Sequence, residues 1–376
     1  MSPGLAARLA DLARITRAPS PVVSVYLGTH WADEHQRERV RVFLAREIKK
    51  ARERAGPALG EDLDWIAEQG EALVQQRRFP EANGVVLFAC GPLALREVLP
   101  VRATVEDAFV VDDAPSLRRL AEIVQETPSA LLVFVDGESA RLIQLGADGV
   151  GAEVSLESDV PNRHRQGGWR LLAQTRFQRH IEEHRGRHFD AVAATLADIA
   201  DGYDVDHIVL AGEARTVAVF RKHLEGRIAE RVAGAIAAAR HEPTSVLVER
   251  AEPLLRLRED EAISDSVEAV LTEAAKGGRA TAGLESTLEA AGRGAVRRLY
   301  MLATFGKPGR ECSACGALQP GETAECRLCH GATKGIELGE ALVQRVLATG
   351  GTVHPVTAAG GLARAGGVAA LLRYPL

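Results

Sequence analysis

The chain has 376 residues, a formal net charge of −5, and is 46% apolar and 26% charged. That length admits two or three domains with cores of their own, and that balance excludes a disordered or fibrous chain. No apolar run approaches the roughly 18 residues a membrane span needs, and the opening MSPGLAARLADLARITR is a short amphipathic pattern carrying Asp11 rather than a secretory signal, so a cytoplasmic protein without a membrane partner is expected.

Pro21 to Gly28, PVVSVYLG, is short and β-branched, a strand stopped by glycine. Behind it Val40, Phe43, Leu44, Ile48 and Ala51 recur at helical spacing among Arg37, Arg41, Arg46, Lys49, Lys50, Arg52 and Arg54, until Gly56-Pro57 ends the run. A basic amphipathic helix of this kind is either a nucleic-acid face or plain surface, and the second is commoner. A second helix, about Glu61 to Phe79, stops before Pro80. Strands are expected at Gly84 to Ala89, Leu93 to Leu99 and Phe109 to Val111, then a helix from Pro115 to Gln125. Residues 1–127 thus read as one α/β domain, with Cys90 a small buried apolar residue.

Residues 128–276 read as a central domain. Ala130 to Val135 is a continuous apolar strand, Asp136-Gly137 a turn and Arg141 to Leu145 its partner, with a further strand near Glu153 to Leu156. There follows PNRHRQGGWRLLAQTRFQRHIEEHRGRH, residues 161–188, where seven arginines and four histidines stand against two acids. Local reversal of sign in an acidic chain is the footprint of a polyanion partner. The loop at Gly167-Gly168-Trp169 lets backbone approach a ligand closely. A long helix then runs to about Ala200, with Arg176, Arg179 and His180 on one face and Phe177 and Ile181 on the buried one. Arg163, Arg165, Arg170, Arg176 and Arg179 carry the charge that such a phosphate-rich partner would meet, with Trp169 at the tip of the loop; the other reading of the stretch is a solvated, arginine-rich surface helix. His180, His184 and His188 have a spacing that can collect a metal, but the neighbouring arginines would repel a cation, leaving RNA contact or exposed surface. His207 to Leu210 is a buried strand, and the single glycine in Ala211-Gly212-Glu213 is too weak a phosphate signal. Segments rich in Ala, Glu and Arg then run helically to Lys276, interrupted near Pro243 and Pro253, up to Gly277-Gly278.

Residues 277–376 alternate again: a helix at Leu284 to Ala291, strand Ala295 to Leu302, helix Gly339 to Ala348, strand Thr352 to Val356 and a last strand Gly367 to Leu372. This pattern gives an α/β/α sandwich. Into it is inserted, at about 311–331, a pair of C-x-x-C knuckles, Cys312/Cys315 and Cys326/Cys329, which hold four of the five cysteines. Four thiolates with no open position suit a structural zinc, a zinc ribbon that staples an insert too small to fold alone; the other readings are reduced, unmetallated thiols or an iron–sulfur centre. His330 is expected beside the tetrad rather than in it. There is no P-loop and no nucleophile elbow, so no hydrolase announces itself. The fold class expected is α/β, three α/β domains with a zinc ribbon in the third.

The sequence GRATAGLESTLEAAGRGAVRRLYML, the two knuckles, TVHPV and the closing AGGVAALLRY resemble the third domain of archaeal and eukaryotic class-one peptide release factors and Pelota. GGW…QTRFQRHIEEH resembles their central domain, where a GGQ loop precedes a helix rich in Arg and Phe, and the chain looks most like the bacterial branch, the Balon-like ribosome hibernation factors. The resemblance covers about Pro128 to Leu376; over 1–127 only the α/β character agrees. It implies a tRNA-shaped factor entering the ribosomal A site, its first domain toward the decoding centre, its central domain toward the peptidyl transferase centre and its third toward stalk-side elements or a delivering GTPase such as elongation factor Tu. Where the family has the glutamine of GGQ this chain has Trp169, and an indole cannot orient a hydrolytic water as an amide does. The family's Asn-Ile-Lys-Ser stop-codon reader is missing too, the only asparagines being Asn83 and Asn162. The resemblance therefore implies occupation, hibernation or protection of idle ribosomes. The alternative is a peptidyl-tRNA hydrolase or tRNA-cleaving rescue factor using Gln174, placed like the downstream glutamine of related tRNA-cleaving proteins; a third is a nucleic-acid binder unconnected with ribosomes.

Overall fold

The computed structural model describes residues 4–29, 31, 34–76, 82–158, 170–203, 205–357 and 360–376. They form the mixed α/β protein that the alternation of strand and helix patterns predicts, divided into two compact units: Met1–Thr127 together with Glu259–Leu376, and Pro128–Arg258.

In the first unit, α1 (Leu5–Ala13) leads to β1 (Val22–Gly28), then α2 (Glu34–Ala55), α3 (Gly60–Gln76), β2 (Gly84–Cys90), β3 (Leu95–Val101), β4 (Ala108–Asp112) and α4 (Arg118–Glu126). The strands make one sheet in the order β3-β2-β1-β4, antiparallel throughout. β1 and β2 are buried along their whole length because both pleat faces are covered. Val23, Val25, Leu27, Val85 and Leu87 meet the apolar stripes of α2 and α3, among them Val40, Leu44, Leu63 and Ile66. On the opposite face Tyr26 stands edge-on to Phe88 and donates its hydroxyl hydrogen to the Ser116 carbonyl at 2.6 Å. β3 starts two residues later than its apolar run suggests, since Gly91–Leu93 closes into a single 3₁₀ turn first. Much of the basic character of α2 is answered within the protein: Arg41 pairs with Glu38 and Glu71, Arg46 and Lys50 with Glu47, and Arg52 with Asp64. Of the two readings of this helix, paired surface is the one its described residues support. Cys90 is buried, as expected.

The central unit carries β5 (Ala130–Val135), β6 (Ser139–Gly146), β7 (Gly149–Glu157), α5 (Arg170–Gly202), β8 (His207–Gly212), α6 (Ala214–Phe220), α7 (Gly226–Glu230) and β9 (Val232–Ala237); α8 (Thr244–Ala275) belongs to it as far as Arg258. Its sheet runs β7-β6-β5-β8-β9, antiparallel among β7, β6 and β5 and parallel from β5 through β8 to β9. One face packs on Phe189, Val192 and Leu196 of α5 and Val217 and Phe220 of α6; the other packs on Leu247, Ala251 and Leu255 of α8.

Two expectations fail here. VAGAIA at 232–237, read as part of a helical run, is strand β9. Its small residues are there for contact: a Cβ on Gly234 would come within 2.8 Å of a Leu254 methyl, so α8 lies directly on the strand. Pairing with β8 overrides the helix propensity of alanine. Pro253 does not interrupt α8 but sits inside it, exposed. Its ring costs about 3 kcal/mol in a helix interior, which the burial of Leu247, Ala251 and Leu255 around it offsets.

The chain then returns to the first unit with β10 (Ala280–Ala282), α9 (Leu284–Gly292), β11 (Val296–Leu302), β12 (Pro308–Cys312), β13 (Leu318–Pro320), β14 (Thr333–Glu337), α10 (Leu338–Ala348), β15 (Thr352–Val356), α11 (Gly360–Arg364) and β16 (Val368–Leu372). The main sheet is β10-β16-β11-β15, with β11 and β15 parallel and the rest antiparallel. Ile263, Val267 and Val270 of α8 and Leu362 of α11 cover one face through Tyr300, Val356 and Ala369. Helices α9 and α10 lie against β11, β15 and β16. This is the expected α/β/α sandwich; β10, three residues long, and the short α11 have no sequence signal of their own.

Candidate functional site

The insert between β11 and α10 is a separate three-stranded sheet, β13-β12-β14. Within residues 308–337 the only buried side chains are Cys312, Gln319 and Cys326. An insert of thirty residues without a buried aliphatic or aromatic side chain has no hydrophobic core to hold it. What it has instead is four sulfurs. The Sγ atoms of Cys312, Cys315, Cys326 and Cys329 all lie within 4.8 Å of one another. Neighbouring pairs are separated by 3.4 Å (Cys312 to Cys329), 3.5 Å (Cys329 to Cys315) and 3.7 Å (Cys315 to Cys326). A tetrahedron with metal–sulfur bonds of about 2.3 Å has edges of about 3.8 Å, so the tetrad can hold a metal ion such as zinc with little movement.

The two knuckles are built alike. Cys312 N–H donates to the Ala317 carbonyl and Cys326 N–H to that of Gly331, each at 2.9 Å and five residues on; Gly316 N–H returns to Cys312 O and His330 N–H to Cys326 O, each at 3.0 Å. Each loop therefore curls so that backbone amides face the first sulfur: Ala314 and Cys315 N–H reach Cys312 Sγ at 3.4 Å, and Leu328 N–H reaches Cys326 Sγ at 3.4 Å. The residue that closes each knuckle is left-handed, Gly316 at φ 71° and His330 at φ 59°. Glycine takes that conformation freely and histidine does not. His330 binds Glu325 through Nδ1 at 2.7 Å and stands outside the tetrad.

The electrostatics favour a cation. The amides of Cys315 and Ala314, with the neighbouring thiols, bring the Cys312 thiol down to about 6. Cys326 is lowered by the amides of Cys329 and Leu328. Cys329, despite the Gly331 amide that lowers it, is pushed up to about 12 by the thiols of Cys312 and Cys315. Four adjacent sulfurs cannot all ionise against one another; a divalent ion removes that conflict by displacing the remaining protons.

Gln319 supports this arrangement and has no motif to announce it. Buried on β13, its amide nitrogen donates to the carbonyls of Glu325 at 3.0 Å and Thr323 at 3.4 Å, and its oxygen accepts from Arg327 N–H at 2.9 Å, so one side chain grips the second knuckle on both sides. A partner of this sort orients ligands without touching the ion. Gln319→Ala is expected to lower zinc affinity by about tenfold or more, read as faster transfer of the metal to a colorimetric chelator, while Gln319→Glu keeps the shape but loses the donor and should fall between.

The other sequence-derived site lies in the central unit. Helix α5, 33 residues, is about 50 Å long. Its carboxyl half is fixed to the sheet from Phe189 onward. Residues 115–256 match the model of bacterial archaeo-eukaryotic release factor family 10. This segment is release-factor-like. Solved structures that resemble the chain include Archaeoglobus fulgidus Pelota (16% identity, 75% of this chain and 85% of that one, TM-score 0.37), archaeal Pelota in a model of the ribosome-bound protein with ABCE1 (21%, 76% and 74%, TM-score 0.39) and the archaeal translation termination factor aRF1 (18%, 98% and 97%, TM-score 0.28). At such scores these likenesses fix neither fold nor function. No curated protein matches the chain.

Within the release-factor-like segment, Arg163, Arg165, Gly167, Gly168 and Trp169 lie outside the described residues. Arg170, Gln174, Arg176 and Arg179 stand on α5, whose side chains are described from Glu182 on. Gln174 is thus in helix, as its fifth residue. His188, read as RNA-facing or exposed, is neither: it is 2% exposed and its Nδ1 lies 2.7 Å from the Ser158 hydroxyl. Every fourth residue of a helix shares a face only roughly, and where α5 meets the sheet that face turns inward. Among described residues no helix is long and apolar enough to cross a membrane.

Proposed function

We propose that this chain is a ribosome-associated translation factor that occupies the A site, acting in hibernation or protection of idle ribosomes. The observation that carries the reading is the match of residues 115–256 to a release-factor family, over the part of the chain that also bears the basic stretch 161–188. Its arginines at 163, 165, 170, 176 and 179 would meet rRNA phosphates, and Gly167, Gly168 and Trp169 would form the tip. The helical setting supports this: Arg170 to Arg187 are 18 residues of α5 ahead of the buried Phe189, about 27 Å of helix. A zinc held by Cys312, Cys315, Cys326 and Cys329 would be structural, with the shell already complete. The carboxyl-terminal sandwich would be the part offered to a translational GTPase, elongation factor Tu or another. Residence in the cytoplasm follows from that role.

Sedimentation through sucrose with vacant 70S ribosomes tests the reading. Co-migration is expected at physiological salt, with an affinity that falls steeply as salt rises, because displaced counterions set the slope. Replacing Arg176 and Arg179 together by Glu should abolish it. Absence of co-migration at any salt would leave a nucleic-acid binder of another kind. Release of peptide from peptidyl-tRNA that Gln174→Ala abolishes would replace occupation by hydrolysis.

A further inference from the structure

Strand β7 ends at Glu157, and the chain meets its own end again thirty residues later. Ser158, the next residue, is tied to the sheet through its amide, which donates to the Glu138 carbonyl at 2.8 Å, and its hydroxyl lies 2.7 Å from His188 Nδ1. Beside this contact α5 also carries Asp190, which binds His223 Nδ1 at 2.7 Å, and an aromatic knot. Phe189 is fully buried, edge-on to Phe220 at 5.6 Å and to His223 at 5.4 Å. Arg185 lies 5.1 Å over the Phe189 ring and reaches the Thr216 hydroxyl at 3.2 Å. Ahead of the knot, Arg187 answers Glu183 on its own helix.

We propose that the Ser158–His188 pair is a pin that sets the direction and the rotational phase of the amino-terminal half of α5, making both residues positioning residues for the phosphate contacts of the reading above, on which this inference rests. Successive helical residues are about 100° apart, so a small roll at the base re-aims every arginine along 27 Å of rod. The aromatic contacts of the knot have little directionality; hydrogen bonds resist rotation, and where Arg185–Thr216 and Asp190–His223 tie α5 to the α6 side, Ser158–His188 alone among these ties it to the end of β7. Burial lowers the pKa of His188, against the opposing influence of the Ser139 backbone and Asp136, so the ring is neutral near pH 7. The pin is a bond between neutral groups, indifferent to salt, at the root of a rod whose partner contacts depend on salt.

That difference supplies the test. Ser158→Ala should weaken co-sedimentation with 70S ribosomes about three- to tenfold, the loss expected when one buried hydrogen bond no longer preorganises a contact surface. The slope of log affinity against log salt should stay as in the natural chain, because the bound state keeps its phosphate contacts. Ser158→Thr, which retains the hydroxyl, should restore binding. In the free protein, amide exchange over residues 182–187 should quicken in Ser158→Ala while β5 and β8 exchange as before. Unchanged exchange, or a binding loss that Ser158→Thr does not repair, overturns the pin. Failure of the unaltered chain to bind ribosomes overturns only the ribosomal reading, since the exchange measurement does not involve them.

Discussion

Cys312→Ser is expected to leave the chain without zinc and its insert without structure. The expectation rests on what residues 308–337 bury: two cysteines and a glutamine, and no aliphatic or aromatic side chain. Remove the ion and there is no apolar area whose burial could hold three short strands together. Serine at 312 is the severest of the four changes, because Cys312 is buried and receives the Ala314 and Cys315 amides. Metal analysis should give one equivalent for the natural chain and almost none for the variant, and a protease should cut within 308–337 of the variant long before it cuts the sandwich. Treatment of the natural chain with a strong chelator should reproduce the cleavage pattern, and chelation should become easier as pH falls, since each ligand must be deprotonated to bind. The central sheet, which shares no residue with the insert, should melt unchanged. Full zinc content in Cys312→Ser, or an insert that stays protease-resistant after chelation, would refute a structural role for the tetrad.

The tetrad was legible in the sequence because a knuckle is local: two residues between cysteines force both sulfurs to one side of a tight turn whatever surrounds it. The apolar strands β1, β2, β5 and β11 were legible for a similar reason, since a run buried on both faces has no polar positions to confuse it. What could not be read depended on partners far along the chain. β9 looks helical until β8 and α8 close over it, and Pro253 looks like a helix end until the burial of its neighbours on the sheet keeps the chain helical through it. Gln319 is one glutamine among many until three backbone groups converge on it. His188 has the spacing of a ligand or an RNA contact, and only the return of the chain past Ser158 makes it a buried anchor. In each case the local pattern was real and a contact of long sequence separation decided its use.

Arg118 is such a residue too, and Arg118→Ala is expected to be the most damaging change among the arginines of the larger unit. It opens α4, and its guanidinium reaches across to the loop after β11, donating to the carbonyls of Phe305 at 2.5 Å, Ala303 at 2.8 Å and Leu302 at 3.4 Å, with Glu122 at 3.1 Å behind it. The contact is reciprocated. Helix α4 has no side-chain cap of its own, and Glu340 of α10 supplies one, accepting from Leu117 N–H at 2.7 Å and Arg118 N–H at 3.4 Å. Burial pushes the Glu340 carboxyl up from its ordinary pKa, while the two amides and the Arg118 charge hold it down. Truncation at 118 therefore leaves carbonyls without donors and Glu122 and Glu340, both drawn away from solvent, without their nearest cation. Losing one partner of a buried charged network costs on the order of 3 kcal/mol or more, about 6–12 °C in the melting temperature of a unit this size. Arg118→Lys should recover little, since an ammonium cannot address three carbonyls and a carboxylate in one plane. Arg119→Ala is the control: its side chain makes one exposed bond to the Glu106 carbonyl and should cost almost nothing. If calorimetry gave Arg118→Ala and Arg119→Ala the same melting temperature, the amino- and carboxyl-terminal parts of the unit would be held together by their apolar contacts, Leu5, Leu9 and Leu12 of α1 beside α10 among them, and the ionic clasp would be incidental.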